Sequence, residues 1–113
     1  ILGKKFIEAF SGKIINIHPS LLPAFPGLNV QEKALEHGAK FSGCTVHFVN
    51  EEVDGGAIIL QAIVPILDED DVQSLSDRIL EQEHIIYPEA IRLIIEDNLE
   101  FSGRRVIRKI RGN

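Results

Sequence analysis

The sequence predicts an α/β fold in which a mixed sheet with an antiparallel pair packs against a long C-terminal helix, followed by a terminal hairpin. Three observations support this prediction. Short β-branched segments alternate with stretches of helical periodicity, two apolar strands are separated by seven residues, and a long segment near the C-terminus keeps apolar side chains at helical spacing. The 113 residues are expected to form one domain, 1–113, because this is an ordinary size for a single hydrophobic core.

The composition is that of a folded globular protein rather than a disordered or fibrous one. Hydrophobic residues make up 44% of the chain and charged residues 26%, so enough apolar surface is available for a core. Cys44 is the single cysteine, which excludes an internal disulfide and favours a reducing, cytoplasmic location. The longest apolar stretches fall well short of the roughly 20 residues that a membrane-spanning helix needs, so no membrane partner is expected.

The charge distribution bears on nucleic-acid binding. The net charge is −5, but the C-terminal tail is basic. Its basic side chains are Arg104, Arg105, Arg108, Lys109 and Arg111. A basic tail can bind nucleic acid, yet this one lacks interleaved aromatic side chains and belongs to an acidic chain. We therefore expect no nucleic-acid partner, and we predict that the tail is a solvated strand or pairs with the acidic helix before it.

The first predicted elements are a helix, a strand and a rigid loop. Lys4 to Phe10 has apolar side chains at helical spacing, with Ser11-Gly12 as its stop. Lys13 to Ile17 is short and β-branched, which is typical of a buried strand. His18 to Gly27 contains three prolines within eight residues, which neither a helix nor a sheet ladder tolerates.

A short helix and two strands are predicted next. Val30 to His37 is expected to be helical, with Asn29 as its N-cap and Gly38 at its C-terminal end. Cys44 to Val49 and Ala57 to Ile66 are apolar segments joined by a short glycine-containing loop. This arrangement predicts an antiparallel pair of strands.

The C-terminal third is predicted to hold a long helix and a hairpin. Asp70 to Asn98 should be helical, with Asp70 and Asp71 near its positive end. Its predicted apolar side consists of Val72, Leu75, Ile79, Ile86, Ile91 and Ile95. Pro88 should kink or break this helix. Leu99 to Ile110 alternates loosely around Ser102-Gly103, which favours a hairpin.

Asn16 and His18 suggest acyl-transfer chemistry. Residues i and i+2 of a strand project to the same face, here where the strand leaves the sheet. An amide N–H can stabilise an oxyanion, and an imidazole can carry a proton. Asp54 lies in a glycine-flanked loop, from which a carboxylate could approach the imidazole and favour its charged form. From composition and spacing alone, the three could equally be a strand-end amide, a loop histidine and a turn former.

The motifs disfavour a metal centre and a cysteine nucleophile. His18, His47, Asp54 and His84 could converge on a metal, but the chain has neither a His-Glu-x-x-His motif nor a cysteine pair, so no metal is expected. Cys44 follows a glycine at the start of a strand, where a small buried residue is the usual occupant. It is therefore not predicted to be a nucleophile.

Three segments resemble the folate-dependent formyltransferases. They are Asn16 to Pro23, Gly43 to Val49 and Val53 to Gly56, in the family's order and at similar intervals. The resemblance runs from Ile1 to about Leu99. It implies the C-terminal half of a formyltransferase fold, and we expect the N-terminal half that would bind the nucleotide phosphate to be missing from this chain.

The resemblance also implies roles for individual residues. Asn16, His18 and Asp54 would be catalytic, and Glu83 would contact the glycinamide end of the acceptor. Without the resemblance, Glu83 would be taken for an ordinary exposed helix carboxylate. The formyl donor, 10-formyltetrahydrofolate, would bind as a co-substrate without a metal. Its expected contacts are Ile1, Leu2, Asn16, Asn50, Glu51, Glu52, Val53 and Asp54.

Within the family, the sequence favours the branch that formylates the amine of glycinamide ribonucleotide in purine biosynthesis. Pro19, His47 and the segment Glu83 to Pro88 resemble that branch, although His47 could equally be a polar residue tucked between strands. Formyltetrahydrofolate deformylases tend to have His where Pro19 stands. The open alternatives are such a deformylase and an inactive folate-binding fragment. The expected partners are these small molecules, and a homodimer is left open.

Overall fold

The computed structural model of the chain describes residues 15–49 and 56–109, and the predicted helix Lys4 to Phe10 lies outside them. The described elements follow the predicted order. They are β1 (Ile15–His18), α1 (Val30–Glu36), β2 (Phe41–Phe48), β3 (Ile58–Pro65), α2 (Val72–Ile95), β4 (Leu99–Ser102) and β5 (Arg105–Arg108). Short strands and one long helix therefore form an α/β fold, as predicted.

β1, β2 and β3 form a sheet in which β2 is central and both pairings are antiparallel. The predicted antiparallel pair, β2 with β3, is confirmed. The register places Asn16 opposite His47 and His18 opposite Thr45, and Thr45 is in turn opposite Gln61. Directly opposed residues of antiparallel strands project to the same face. These five side chains therefore share one face of the sheet, which we call the polar face.

The opposite face of the sheet is covered by α2. Alternate residues of β2 point towards the helix and form two apolar clusters with it. One cluster contains Cys44, Val64, Leu75 and Ile79, and the other contains Val46, Phe48, Ile59 and Ala90. Neither helix in the described ranges is long and apolar enough to cross a membrane.

The buried stripe of α2 differs in part from the predicted one. Leu75 and Ile79 are buried as predicted, and Ala90 and Leu93 are buried as well. The prediction was wrong for three residues, which are exposed: Val72, Ile91 and Ile95. Leu75 and Leu93 are separated by five helical turns at about 3.6 residues per turn, so they lie on one line along the helix. Ile91 is rotated by about 160° around the helix from that line, so its side chain reaches solvent.

α2 continues through Pro88, so the predicted break does not occur. Proline lacks the N–H that would donate to the carbonyl of His84. His84 and Pro88 both lie on the exposed side of the helix, where water can replace that donor. On the sheet side, Ile86 and Ala90 pack against the core and hold the helix in place before and after the proline.

Asn29 precedes α1 as predicted, but it does not act as a side-chain cap. Its backbone is left-handed, with φ +57°, whereas a capping side chain needs an extended backbone at that position. Among the described residues its side chain makes no capping hydrogen bond, and its carbonyl accepts from the N–H of Lys33 at 3.0 Å. Gly38, with φ +69°, follows the end of α1 as predicted.

β4 and β5 form the predicted terminal hairpin, with Gly103 in its turn at φ +62°. The ring of Phe101 lies 5.2 Å from the ring of Phe48, which attaches the hairpin to the core. The basic tail enters β5, and the Nζ of Lys109 lies 3.2 Å from the carboxylate of Asp97, just after α2. Arg105 and Arg108 of β5 are exposed, in agreement with the predicted solvated strand, whereas Lys109 pairs with a residue just beyond α2 and not with the helix itself.

Two aspartates fix the start of α2. Asp71 is its N-cap, accepting from the N–H of Ser74 at 2.8 Å, while the Ser74 hydroxyl accepts from the N–H of Asp71 at 3.0 Å. Asp70 accepts from both terminal nitrogens of Arg78, at 2.8 and 2.9 Å, and from the N–H of Leu67 at 2.7 Å. The hydrogen bonds from Arg78, followed by the Leu67 N–H, hold the pKa of Asp70 well below its usual range.

Asp70→Asn is expected to lower the free energy of unfolding at pH 7. It should also make the free energy of unfolding depend less on pH in the acidic range. Because the folded-state pKa of Asp70 is lowered, its contribution is present above the unfolded-state pKa of about 3.9 and is lost as the pH falls. The difference in Tm between protein and variant should therefore narrow below about pH 4. Asp68→Asn, at an exposed position, is the control. A Tm difference between the protein and Asp70→Asn that stays the same from pH 7 to below about pH 4 would contradict the prediction.

Candidate active site

Asn16 and His18 lie where β1 ends, on the polar face of the sheet. Asn16 is exposed, whereas His18 is buried with 6% of its surface accessible. The strand alternation that predicted a shared face is therefore confirmed. The structure provides an accessible amide beside a largely desolvated imidazole.

The imidazole of His18 is oriented by the loop that follows it. Its Nε2 donates to the carbonyl oxygen of Phe25 at 2.9 Å. The Ser20 hydroxyl lies 2.7 Å from the carbonyl oxygen of Ala24 and 3.0 Å from that of Phe25, and its single proton is shared between them. A carbonyl oxygen can only accept, so Nε2 must carry a proton. In the neutral ring Nδ1 is then the basic nitrogen, and it is the atom that gains a proton when the ring becomes charged.

A second set of hydrogen bonds fixes the loop over the polar face. Thr45 Oγ1 donates to the carbonyl of Ser20 at 2.7 Å and accepts from the N–H of Leu22 at 3.1 Å. The amide of Gln61 donates to Thr45 Oγ1 at 3.0 Å and to the carbonyl of Leu22 at 2.9 Å. No role was predicted for Thr45 or Gln61 from the sequence. The available signal was a threonine and a glutamine inside otherwise apolar strands, on the same face as His18.

His47 lies opposite Asn16 and is buried, as the description of a polar residue tucked between strands requires. Its Nδ1 donates to the carbonyl of Phe48 at 3.0 Å. Gly56 lies against the same carbonyl: a Cβ placed there would come within 1.6 Å of that oxygen. The glycine after the Asp54 loop therefore permits a backbone approach that no other residue could make.

Glu83 approaches the site from α2, on the other side of β1. Its half-buried side chain lines a cavity of about 390 Å³, together with Ile17, Leu80, His84, Tyr87 and Pro88. Burial raises the pKa of Glu83, while the positive charges of His84 and His18 act in the opposite direction. The carboxylate that the resemblance assigned to the acceptor thus lies within electrostatic reach of the predicted catalytic histidine.

Cys44 is not suited to nucleophilic chemistry, as predicted. Its side chain is fully buried in the core between the sheet and α2. Burial and the negative charge of Glu83 raise the pKa of the thiol to about 11, so the reactive thiolate is scarce at neutral pH.

Across the ranges 15–49 and 56–109 the structure contains no group of three His, Cys, Asp or Glu side chains that could hold a metal.

Several predicted site residues lie outside the described ranges. These are Ile1, Leu2, Asn50, Glu51, Glu52, Val53 and Asp54. Their roles as folate contacts, and that of Asp54 as the partner of His18, stay predictions. Of the predicted site, the structure therefore places Asn16 and His18 together on the polar face, and it places Glu83 on the α2 side of β1.

Glu83→Gln is expected to remove a pH-dependent loss of stability. The folded-state pKa of Glu83 is raised, so the unfolded state loses its proton first and the free energy of unfolding falls as the pH rises above about 4.5. A glutamine does not titrate, so the variant should match the protein near pH 4 and exceed its Tm at pH 7. Glu81→Gln, at an exposed position on the same helix, is the control. A lower Tm for Glu83→Gln at pH 7 would contradict this account.

Comparison with known proteins decides the family. Residues 1–91 match the family model described as formyl transferase. The chain belongs to the formyltransferase family. The phosphoribosylglycinamide formyltransferase of Haemophilus influenzae is 51% identical over 96% of this chain, and the match covers 54% of that protein.

Solved formyltransferase-family structures agree with this assignment. The crystal structure of glycinamide ribonucleotide transformylase 1 from Symbiobacterium toebii has a TM-score of 0.89 and 57% identity, covering 97% of this chain and 52% of that one. A formyltetrahydrofolate deformylase from Pseudomonas syringae has a TM-score of 0.87 at 28% identity, covering 97% of this chain and 37% of that one. The chain thus spans about half the length of the formyltransferases that it resembles in sequence and structure.

Proposed function

We propose that this chain carries the catalytic face of an enzyme that transfers a formyl group from 10-formyltetrahydrofolate to the amine of glycinamide ribonucleotide. The observation that carries the proposal is the buried imidazole of His18, oriented by Phe25, with the Asn16 amide beside it. Glu83 adds a carboxylate within electrostatic reach. Similarity to the phosphoribosylglycinamide formyltransferase of H. influenzae and to the glycinamide ribonucleotide transformylase of S. toebii supports the choice of acceptor.

The reaction is an acyl transfer, and each residue would act on a different part of it. The neutral amine attacks the formyl carbon and pushes the carbonyl electrons onto oxygen. Asn16 would donate an N–H to this oxyanion, and charged His18 would stabilise it. The intermediate collapses by breaking the bond to N10 of the folate, which takes up a proton as the amine loses one. His18 would relay protons through Nδ1, since the Nε2 proton is held by the Phe25 carbonyl.

The remaining roles follow the family resemblance. Asp54 would keep His18 in its charged form, because a carboxylate near an imidazolium stabilises the positive charge. The segment Asn50 to Asp54, together with Ile1 and Leu2, would hold the pterin of the donor. Glu83 would bind the amino end of glycinamide ribonucleotide. No metal is invoked, because hydrogen bonds and one cation can stabilise the oxyanion of an acyl transfer.

The wider setting is proposed on the same basis. We place the protein in the cytoplasm and in purine biosynthesis, and we treat 1–113 as a single formyltransferase domain with small molecules as its partners. The free, buried Cys44 is consistent with a reducing compartment.

A deformylase is the second candidate, because the P. syringae deformylase shares the fold closely at a TM-score of 0.87. In that reaction water replaces the amine, and formate is released without an acceptor. The lower identity, 28% against 57% for the transformylase, favours transfer to an amine.

The two functions are separated by the acceptor dependence of tetrahydrofolate release from 10-formyltetrahydrofolate. We expect release when glycinamide ribonucleotide is present and little release without it. Release that is independent of the acceptor would identify a deformylase. Binding of 10-formyltetrahydrofolate without release in either condition, measured by calorimetry, would identify the inactive folate-binding alternative and overturn the proposed activity of this chain.

A further inference from the structure

Gln61 lies on β3, two strands away from His18, yet it belongs to the same hydrogen-bonded unit. Its side chain is the polar residue of β3 opposite Thr45 on the polar face. It is also exposed, so the core does not require a glutamine at this position. An exposed polar side chain on an edge strand can make all of its hydrogen bonds to water. The Gln61 side chain instead donates two hydrogen bonds to the protein.

The orientation of the Gln61 amide follows from its partners. The carbonyl of Leu22 can only accept, so the atom facing it at 2.9 Å must be the nitrogen. The single proton of the Thr45 hydroxyl is donated to the carbonyl of Ser20, so Thr45 Oγ1 accepts the second Gln61 proton at 3.0 Å. Both N–H groups of the amide are therefore used, one on the loop and one on β2.

These contacts form a continuous path from β3 to the imidazole. Gln61 donates to Thr45 and to the Leu22 carbonyl, and Thr45 donates to the Ser20 carbonyl. The single proton of the Ser20 hydroxyl lies between two acceptors, the carbonyls of Ala24 at 2.7 Å and of Phe25 at 3.0 Å, and the Phe25 carbonyl also receives the His18 proton. Ser20 and Thr45 are almost fully buried, at 1% and 0% accessible surface. A buried polar atom that loses its hydrogen-bond partner cannot bond to water instead, which costs free energy of folding. The hydrogen bonds of Ser20 and Thr45 are therefore effectively fixed.

We propose that Gln61 is a positioning residue that sets the orientation and protonation site of the His18 imidazole through Thr45 and the loop 19–26. The proposal rests on the function proposed above for His18. It adds a residue that touches no reacting atom and acts by holding the Phe25 carbonyl at the distance that keeps the proton on Nε2. Loss of the Gln61 amide would free the loop and allow the ring to rotate or change tautomer.

Nuclear magnetic resonance of the imidazoles of the full chain tests the positioning directly, without requiring activity. In the protein, neutral His18 should carry its proton on Nε2. In Gln61→Met, which keeps the length of the side chain but removes both donors, that proton should exchange about tenfold faster and the ring should show both tautomers. His47, whose Nδ1 bonds the Phe48 carbonyl, serves as an internal reference and should not change.

Activity measurements show whether the positioning matters for the reaction. With Gln61→Met, kcat for acceptor-dependent tetrahydrofolate release should fall roughly 10- to 100-fold, with KM changed far less, because the imidazole is misplaced but neither substrate loses a contact. Gln73→Met is the control with the same substitution: the Gln73 side chain donates a hydrogen bond at 2.7 Å to Asp77, on the exposed side of α2. It should alter neither His18 nor kcat.

Each outcome distinguishes the positioning role from the proposed function. Unchanged tautomer and exchange of His18 in folded Gln61→Met would overturn the positioning role. If that variant does not fold, Gln61→Glu, which places a carboxylate oxygen against the Leu22 carbonyl, must perturb His18 for the proposal to stand. A perturbed His18 in a chain whose parent shows no transfer would support the positioning and overturn the proposed function alone.

Discussion

His18→Ala is expected to lower kcat for formyl transfer by roughly 100-fold or more, the usual contribution of a positioned proton-transfer group. The substitution removes both the positive charge that would face the oxyanion and the group that would relay the proton. It also leaves the Phe25 carbonyl without the Nε2 donor, which the Ser20 hydroxyl compensates in part. Steady-state release of tetrahydrofolate in the presence of glycinamide ribonucleotide measures the effect.

His18→Gln separates the loss of the proton-carrying imidazole from the loss of the hydrogen bond to the Phe25 carbonyl. A glutamine nitrogen can still donate to the Phe25 carbonyl, but the amide does not gain a proton near neutral pH. This variant should therefore fold normally and still lose most of the activity. A kcat within about tenfold of the parent, equivalent to about 1.4 kcal/mol of transition-state stabilisation, would remove His18 from the mechanism.

Leu75→Ala is expected to reduce the free energy of unfolding by about 2–5 kcal/mol, the usual cost of truncating a fully buried leucine. Leu75 has no accessible surface and packs with Cys44, Val64 and Ile79 between α2 and the sheet. Because domains of this size are stable by only about 5–15 kcal/mol, the change removes a large share of the total. Urea denaturation monitored by circular dichroism measures it.

Ile95→Ala provides the matched control on the same helix. Ile95 is 77% accessible, so its truncation should change the free energy of unfolding by no more than about 0.5 kcal/mol. Equal losses for the two variants would contradict the packing of α2 described above. The comparison also tests the corrected stripe, since the sequence pattern placed both residues on the same apolar side.

The sequence predicted the arrangement of candidate site residues only where they are close together in the chain. Asn16 and His18 are two residues apart on a strand, so strand alternation alone placed them on one face. Glu83 is distant in sequence, and its approach to His18 depends on how α2 crosses the sheet. Its expected role came from resemblance to a family and stays a prediction. For Gln61 the signal was weak: it is a glutamine inside an otherwise apolar strand, and a glutamine at an exposed strand position is ordinary in any sequence.

The same division applies to the fold. Proline spacing, β-branched runs and the glycine of the hairpin turn act within a few residues, and they fixed the order and kind of the described elements. Pro88 and Asn29 show the limit of such signals. Packing of Ile86 and Ala90 on the sheet kept α2 continuous across its proline, and the left-handed backbone of Asn29 prevented the side-chain cap.

The sequence by itself determined a small α/β unit with a strand-end amide and imidazole on one face. Only the tertiary structure decided which carbonyl holds the imidazole and which residues of α2 are buried. The physical reason is the sequence separation over which each interaction acts. Dihedral preferences and periodicity act between residues close in sequence, whereas strand register and helix packing are set by the burial of apolar surface from distant parts of the chain at once.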